Sequence, residues 1–191
     1  MFSRGRENGF FVTYNHPSAS GESYPEYSKY QGMHAVEIFN YESYVAGFES
    51  FDFNVYKDFL RDGKKVLCTA NDDSHGTVFI GGGFTVVKAD KLEYRTITSA
   101  LLEGNFYSSS GPEIKELFIE DGLIKVTTSP TYKIAIHSGL RRVQVKRANL
   151  NSNITNAEFK FYPEDEYFIV IVTDSDNNKA VSNAYFTKDI I

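Results

Sequence analysis

The sequence predicts a mixed α/β segment followed by an all-β segment, and three observations carry that expectation. Before Gly111, short apolar runs alternate with stretches of helical period. Beyond Pro112 the helical period disappears, and short alternating segments follow one another between turn signals. Gly111-Pro112 itself is a break that neither a helix nor a central strand continues through. The expected domains are therefore 1–111, α/β, and 112–191, a small β-sandwich of six or seven strands.

Residues 1–10 are polar and read as a loop or arm, followed by a strand over 10–14. Residues 15–32 hold two prolines, several serines and a run of tyrosines, the composition of a long irregular loop. Ala35-Val36-Glu37-Ile38-Phe39 is a strand ending at Asn40, with Glu37 on the face of Ala35 and Phe39 by simple alternation. Phe51, Val55, Phe59 and Leu60 recur at helical spacing, which predicts a helix over 52–62 closed by Asp62-Gly63. Val66-Leu67-Cys68-Thr69-Ala70 reads as a buried strand, and Phe84–Val87 as another. Asp90 is the expected N-cap of a helix over 91–103 with Leu92, Ile97, Ala100 and Leu101 as its stripe and Gly104 as its C-cap. Phe106–Ser110 is a short strand. After the break come Lys115–Ile119, Leu123–Thr127, Tyr132–His137, Arg142–Arg147, Glu158–Tyr162 and Tyr167–Val172. Asp121-Gly122, Ser138-Gly139, Asn149–Asn153 and Asp176-Asn177-Asn178 separate them as turns.

The totals exclude several classes. A 191-residue chain that is 41% hydrophobic can bury a core. With 25 acidic against 20 basic residues its net charge is −5, and no nucleic-acid partner is expected. A single cysteine, Cys68, excludes an intrachain disulfide, and its apolar setting marks it as a buried small hydrophobe. No apolar run reaches membrane-spanning length, and Met1–Gly9 lacks a signal-peptide core. No membrane partner and a cytoplasmic setting are the corresponding expectations.

The chemistry concentrates where two strands give out. Phe11–Tyr14 runs into Asn15-His16-Pro17, and the 66–70 strand runs into Asn71-Asp72-Asp73-Ser74-His75-Gly76. Residues two apart on extended backbone point the same way, so Asp73 and His75 can aim a carboxylate and an imidazole at one point. That mixture of oxygen and nitrogen donors suits a divalent transition metal. Asp73 and His75 are thus the candidate ligands, His16 at the other strand end walls the same site, and Asn15, Glu37, Asn40, Asn71, Asp72 and Ser109 are candidate pocket or supporting residues. Glu37 on a strand needs a partner if buried.

Other signals read as structure. Gly81-Gly82-Gly83 lacks the Gly-Lys-Ser/Thr of a phosphate loop and reads as a turn near the site. Asp174–Asn178 has Lys179 where a calcium loop requires glycine and reads as a hairpin turn. His34 is placed at a surface or rim, and His137 in a structural strand. Arg141, Arg142, Lys146 and Arg147 belong to a small basic strand whose alternating Arg142, Gln144 and Lys146 suggest a solvated face, with an acidic partner as the alternative.

Asn15-His16-Pro17, the strand Ala35–Asn40, Asp73-Ser74-His75 and the run Ala100–Pro112 together resemble the C-terminal half of PHP (polymerase and histidinol phosphatase) phosphoesterases that carry an appended β-domain. Ser182–Phe186 resembles the close of that β-domain. The resemblance implies the late strands of a distorted (β/α)7 barrel, a divalent metal centre of zinc, manganese or iron, and hydrolysis of phosphate esters by metal-activated water. It implies that His16, Asp73 and His75 ligate metal and that the substrate is a phosphorylated small molecule. The family's early His-x-His ligands have no counterpart among the four histidines here, 16, 34, 75 and 137. The site is therefore expected to be incomplete and inactive alone. A fragment, a split gene and a short protein with a lost site stay open. So does the alternative function, a non-catalytic binding or assembly module. A half barrel exposes strand edges, so a homo-oligomer or a missing N-terminal half is the expected partner.

Overall fold

Residues 2–190 are described by a computed structural model. They divide into two compact units, with the boundary between Ser108 and Ser109; the sequence expectation set it after Gly111.

The first unit is built on three parallel strands, β1 (Thr13–Tyr14), β2 (Ala35–Asn40) and β3 (Leu67–Asn71), in the order β1-β2-β3. This is an open sheet; it is not a closed barrel. Parallel strands need covered faces, and β2 is apolar enough to be buried on both. β1 is shorter than the 10–14 expected, although Val12 O still accepts from His34 N and Ala35 N. Three helices were not legible in the sequence. Phe2–Glu7 (α1) forms where a loop was expected, Tyr24–Tyr27 (α2) interrupts the irregular loop, and Tyr41–Val45 (α3) follows β2 directly. α4 (Phe53–Arg61) packs on β2 and buries Phe53, Tyr56, Phe59 and Leu60; of the expected stripe Phe59 and Leu60 are buried, while Val55 is half-buried and Phe51 lies before the helix.

The loop before β2 is held by its tyrosines. Tyr14 Oη and Tyr30 Oη both donate to the Glu22 carboxylate, Tyr27 Oη to Asp58 Oδ2 and Tyr24 Oη to Asp62 Oδ1. A ring that is apolar in body and polar at its tip can close over α4 while reaching a carboxylate. Tyr14 and Tyr27 stack edgewise or tilted on Phe59 accordingly.

β4 (Phe84–Val87) lies beside β3, where the Thr85 hydroxyl donates to Ala70 O and accepts from Ala70 N. α5 spans Tyr94–Glu103, and its N-cap is Glu93, not the expected Asp90. Leu92 falls before the helix and is almost fully exposed, and only Ala100 of the helix is buried. Gly104 closes it at φ 76°, as a left-handed C-cap requires. β5 (Phe106–Ser109) follows, and the Ser108 hydroxyl donates to Cys68 O. Burial pushes the Cys68 thiol up to about 12, which leaves it a packed group and no nucleophile.

The second unit is all-β. β6 (Ile114–Glu120), β7 (Leu123–Thr131) and β10 (Ile154–Lys160) form one antiparallel sheet in the order β10-β7-β6. β8 (Lys133–Ser138), β9 (Val143–Arg147), β11 (Tyr167–Thr173) and β12 (Lys179–Ser182) form a second, in which β13 (Tyr185–Phe186) also pairs with β11. β11 is buried along its whole length, while β7 alternates with Ile124, Val126 and Thr128 inward. Asp121 and Gly122 take positive φ and join β6 to β7 through the tight turn that Asp-Gly favours. β10 begins four residues before the Glu158–Tyr162 expected and ends at Lys160, because Ile154 and Asn156 pair with Thr131 and Thr127 of β7 across an irregularity at Thr155. The Asp174–Asn178 segment is a hairpin turn: Asp174 Oδ1 accepts from the main-chain N–H of Asp176 and Asn178. Among the described residues no helix is long and apolar enough to cross a membrane.

Candidate metal centre

The site begins with an irregularity in β2. Its register with β3 pairs Glu37 with Thr69 and Asn40 with Asn71, so one extra residue, Ile38, is accommodated between them. Without that bulge, Glu37 and Asn40 would face opposite sides. With it they share a side, and Phe39, expected beside Glu37, turns to the other.

Glu37 is 2% exposed and sits at the centre of the polar cluster. Its Oε1 accepts from Asn71 Nδ2 at 2.8 Å; its Oε2 accepts from His16 N at 2.7 Å and Asn40 Nδ2 at 3.1 Å. One carboxylate thus ties together the ends of β1, β2 and β3. Burial raises its pKa, and the three donors pull it part of the way back. Asn40 is equally committed: Oδ1 caps α3 at Ser43 N (2.8 Å), and Nδ2 donates to both Glu37 and Asp73 Oδ2 (3.1 Å).

Asp73 and His75 lie beyond the end of β3, and α3 brings Glu42 to them. Glu42 N is fixed by Asp72 O at 3.0 Å. His75 Nδ1 lies 2.5 Å from Glu42 Oε2 and 2.8 Å from Asp73 O, two acceptors, so this nitrogen carries the proton. The Glu42 carboxylate and the Asp73 carbonyl accordingly raise the His75 pKa. One ligand atom from each of Glu42, Asp73 and His75 lies within 4.8 Å of the others. His16 Nε2 stands 3.9 Å from Asp73 Oδ2. The sequence reading missed Glu42; the local signal was Asn40, a capping residue at a strand end with a glutamate two positions on.

His16 and Asp73 both have positive φ, 33° and 53°, a conformation that a non-glycine residue adopts at some cost. Each is held there by the cluster, His16 through its N–H on Glu37 and Asp73 through Asn40.

Asp72 points away from the ligands and into the glycine run. Its carboxylate accepts from Gly81 N, Gly82 N and Gly83 N at 2.7, 2.9 and 2.8 Å. Burial alone would raise its pKa, but these three N–H groups outweigh it and lower it. The glycines are required by close approach. A Cβ on Gly82 would stand 2.1 Å from the Tyr41 ring, and one on Gly83 2.6 Å from Asn71 O. These N–H groups, which in a phosphate loop would face an anion, face Asp72.

The remaining candidates are placed as follows. Asn15 is exposed and forms no side-chain hydrogen bond in the cluster. The Ser109 hydroxyl donates to Pro112 O and accepts from Gly111 N, closing a turn. His34 is half-buried, stacked on Phe11, and its Nδ1 accepts from Val12 N; burial, then Arg6, lowers its pKa. A second buried acid, Asp52, accepts from both the N–H and the hydroxyl of Ser18 and so fixes the loop just after His16.

Donor atoms around a tetrahedral zinc ion with bonds of about 2.1 Å lie about 3.4 Å apart. The ligand atoms of Glu42, Asp73 and His75, within 4.8 Å of one another, are near that spacing. They fit one ion with a position open to solvent, and two or three ions would need more donors than converge here. Comparisons with protein-family models, with curated proteins and with solved structures find no match to this chain.

Proposed function

We propose that the strand ends of the first unit hold one divalent metal ion and that the reaction class is hydrolysis of phosphate esters. The observation that carries the metal reading is the convergence of Glu42, Asp73 and His75 from two separate segments, with His16 alongside. The reaction class rests on the resemblance of Asn15-His16-Pro17 and Asp73-Ser74-His75 to PHP phosphoesterases, with β1, β2 and β3 read as late strands of that barrel. A bound divalent ion would acidify a coordinated water and neutralise phosphate oxygens.

The chain's own groups divide that work. Glu42 and Asp73 supply negative oxygen donors, and His75 supplies a nitrogen once its proton leaves. Asn40 holds Asp73 Oδ2 in place, while Glu37 orients Asn40, Asn71 and the His16 main chain. His16, whose Nε2 is 3.9 Å from Asp73 Oδ2, is the further donor in this reading.

The test is elemental analysis of protein purified without a His-tag, with zinc and manganese titrations and hydrolysis of p-nitrophenyl phosphate and its diester. One bound ion per chain, lost in His75→Ala, supports the site. Absence of binding at micromolar metal removes it. Binding without hydrolysis of either ester keeps the site and is the outcome expected of a chain that lacks the early His-x-His ligands; metal-dependent hydrolysis that is lost in His75→Ala carries the reaction class. A second reading, a non-catalytic binding or assembly module, is favoured by a separate observation in the β-domain, the basic edge strand β9.

A further inference from the structure

Among the described residues β9 ends its sheet, with β8 on one side and no strand on the other. Ser138 N donates to Arg142 O, and Ala148 N donates to Tyr132 O. In an antiparallel ladder, bonded and non-bonded pairs alternate. The register Ile136↔Gln144 and Ile134↔Lys146 therefore makes Gln144 and Lys146 the residues that exchange bonds with β8. The N–H and C=O of Val143, Val145 and Arg147 point outward from the sheet. The side chains of Val143 and Val145 are 50% and 41% exposed.

This edge is strongly basic. Arg141, Arg142, Lys146 and Arg147 occur within residues 141–147, and no acid interrupts them, in a chain whose net charge is −5. Arg142 is engaged: it stacks over Tyr162, and its Nη2 lies 3.3 Å from Glu164 Oε1. Arg141, Lys146 and Arg147 are exposed and form no ion pair among the described residues. Gln144 is turned inward, where its amide donates to Lys160 O and accepts from Lys160 N of β10. That contact fixes β9 from the inner face and leaves its outer edge open.

The geometry points to β9 as a docking edge for an extended acidic segment of a partner protein, which adds to the sheet as a further strand. Outward main-chain groups supply the pairing, exposed Val143 and Val145 receive apolar side chains, and Arg141, Lys146 and Arg147 select carboxylates. Charges on an edge strand ordinarily block pairing. Here the block is one-signed. It repels a second copy of β9 and any basic strand, and it attracts an acidic one. The inference is independent of the metal centre.

The test uses the ¹⁵N-labelled full chain and an eight-residue peptide of alternating valine and glutamate, with the same peptide carrying lysine for glutamate as control. The expected result is a shift and hydrogen-exchange protection at the Val143, Val145 and Arg147 amides with the acidic peptide alone. Gln144 and Lys146, already bonded to β8, change little. Raising the salt from about 50 to about 300 mM weakens binding about tenfold. The double variant Lys146→Glu/Arg147→Glu, altered only at exposed side chains, loses the acidic peptide by at least about thirtyfold and gains the lysine peptide. Absence of any response at these amides up to millimolar peptide overturns the inference, as does equal binding of the lysine peptide. Protection that grows with protein concentration before peptide is added points to self-association and overturns it too. Tighter binding of a single-stranded oligonucleotide would do the same.

Discussion

Replacing Glu37 tests whether one buried carboxylate holds the three strand ends together. In Glu37→Leu the acceptors vanish while Asn71 Nδ2, Asn40 Nδ2 and His16 N stay in place. An orphaned buried donor costs about 1–3 kcal/mol. Asn40 is only half orphaned, because Asp73 Oδ2 still accepts from it. Relief from burying a carboxylate, the cause of its raised pKa, offsets part of the loss. The net expectation is about 3 kcal/mol lost by Glu37→Leu. Glu37→Gln keeps one carbonyl oxygen and turns an N–H₂ toward at least one donor, so it loses about 1 kcal/mol.

The two units need not unfold in one step. The assay is therefore amide exchange of His16 and of the β1–β3 residues, read beside urea unfolding by circular dichroism. Protection in Glu37→Leu within about 0.5 kcal/mol of the wild type would refute the reasoning. The pH adds a signed check. Glu37 holds its proton more tightly folded than unfolded, so its contribution is largest below its ordinary 4.5 and falls as pH rises toward the raised folded value. The gap between the wild type and Glu37→Gln should narrow as pH rises from about 4 to about 7.

Four further outcomes are expected. If the proposed centre binds zinc, Asp73→Ala or His75→Ala lowers the affinity by at least about a hundredfold in calorimetric titration, since each removes a proposed ligand. Zinc affinity at the proposed site rises with pH through the elevated His75 pKa, because the imidazolium form offers the ion no lone pair; Glu42→Gln shifts that transition to lower pH, measurable by NMR of the His75 ring. Gly82→Ala forces a Cβ against Tyr41 and destabilises the 76–83 segment by about 2 kcal/mol or more in exchange experiments, with Tyr41→Ala relieving the clash. Asp72→Ala orphans three glycine N–H groups and loosens the same segment, while Asp72→Asn keeps part of the contact, so exchange at Gly81–Gly83 should rank wild type, Asn, Ala from slowest to fastest.

Much of the fold was legible because it is written in short-range pattern. The α4 helix, the Asp121-Gly122 hairpin and the Gly104 cap each depend on residues a few positions apart, and each formed where expected, although only Phe59 and Leu60 of the expected α4 stripe are buried. The short helices α1, α2 and α3 were not legible, since four to six residues carry too little periodicity to declare a helix. Asp90 was mistaken for a cap because its residue type favours caps, whereas the chain enters α5 three residues later. Within the site, Asp73 and His75 were singled out because they stand two apart after a visible strand, but β3 ends at Asn71 and Asp73 has φ 53°, so strand alternation is not what brings them together. Glu42 was missed because its only local mark is its place after Asn40, and its partners lie some thirty residues further on.

From its own pattern, the sequence determined where strands end and which ends carry histidine and acid, because alternation and turn residues act over neighbouring positions. Tertiary structure alone decided that Ile38 bulges, that Glu37 and Asn40 thereby face the same side, and that Asp72 turns to the glycines while Asp73 turns to Glu42 and His75. Those choices depend on the parallel register of β2 against β3 and on which main-chain groups burial leaves without partners. Neither quantity exists until distant segments pack.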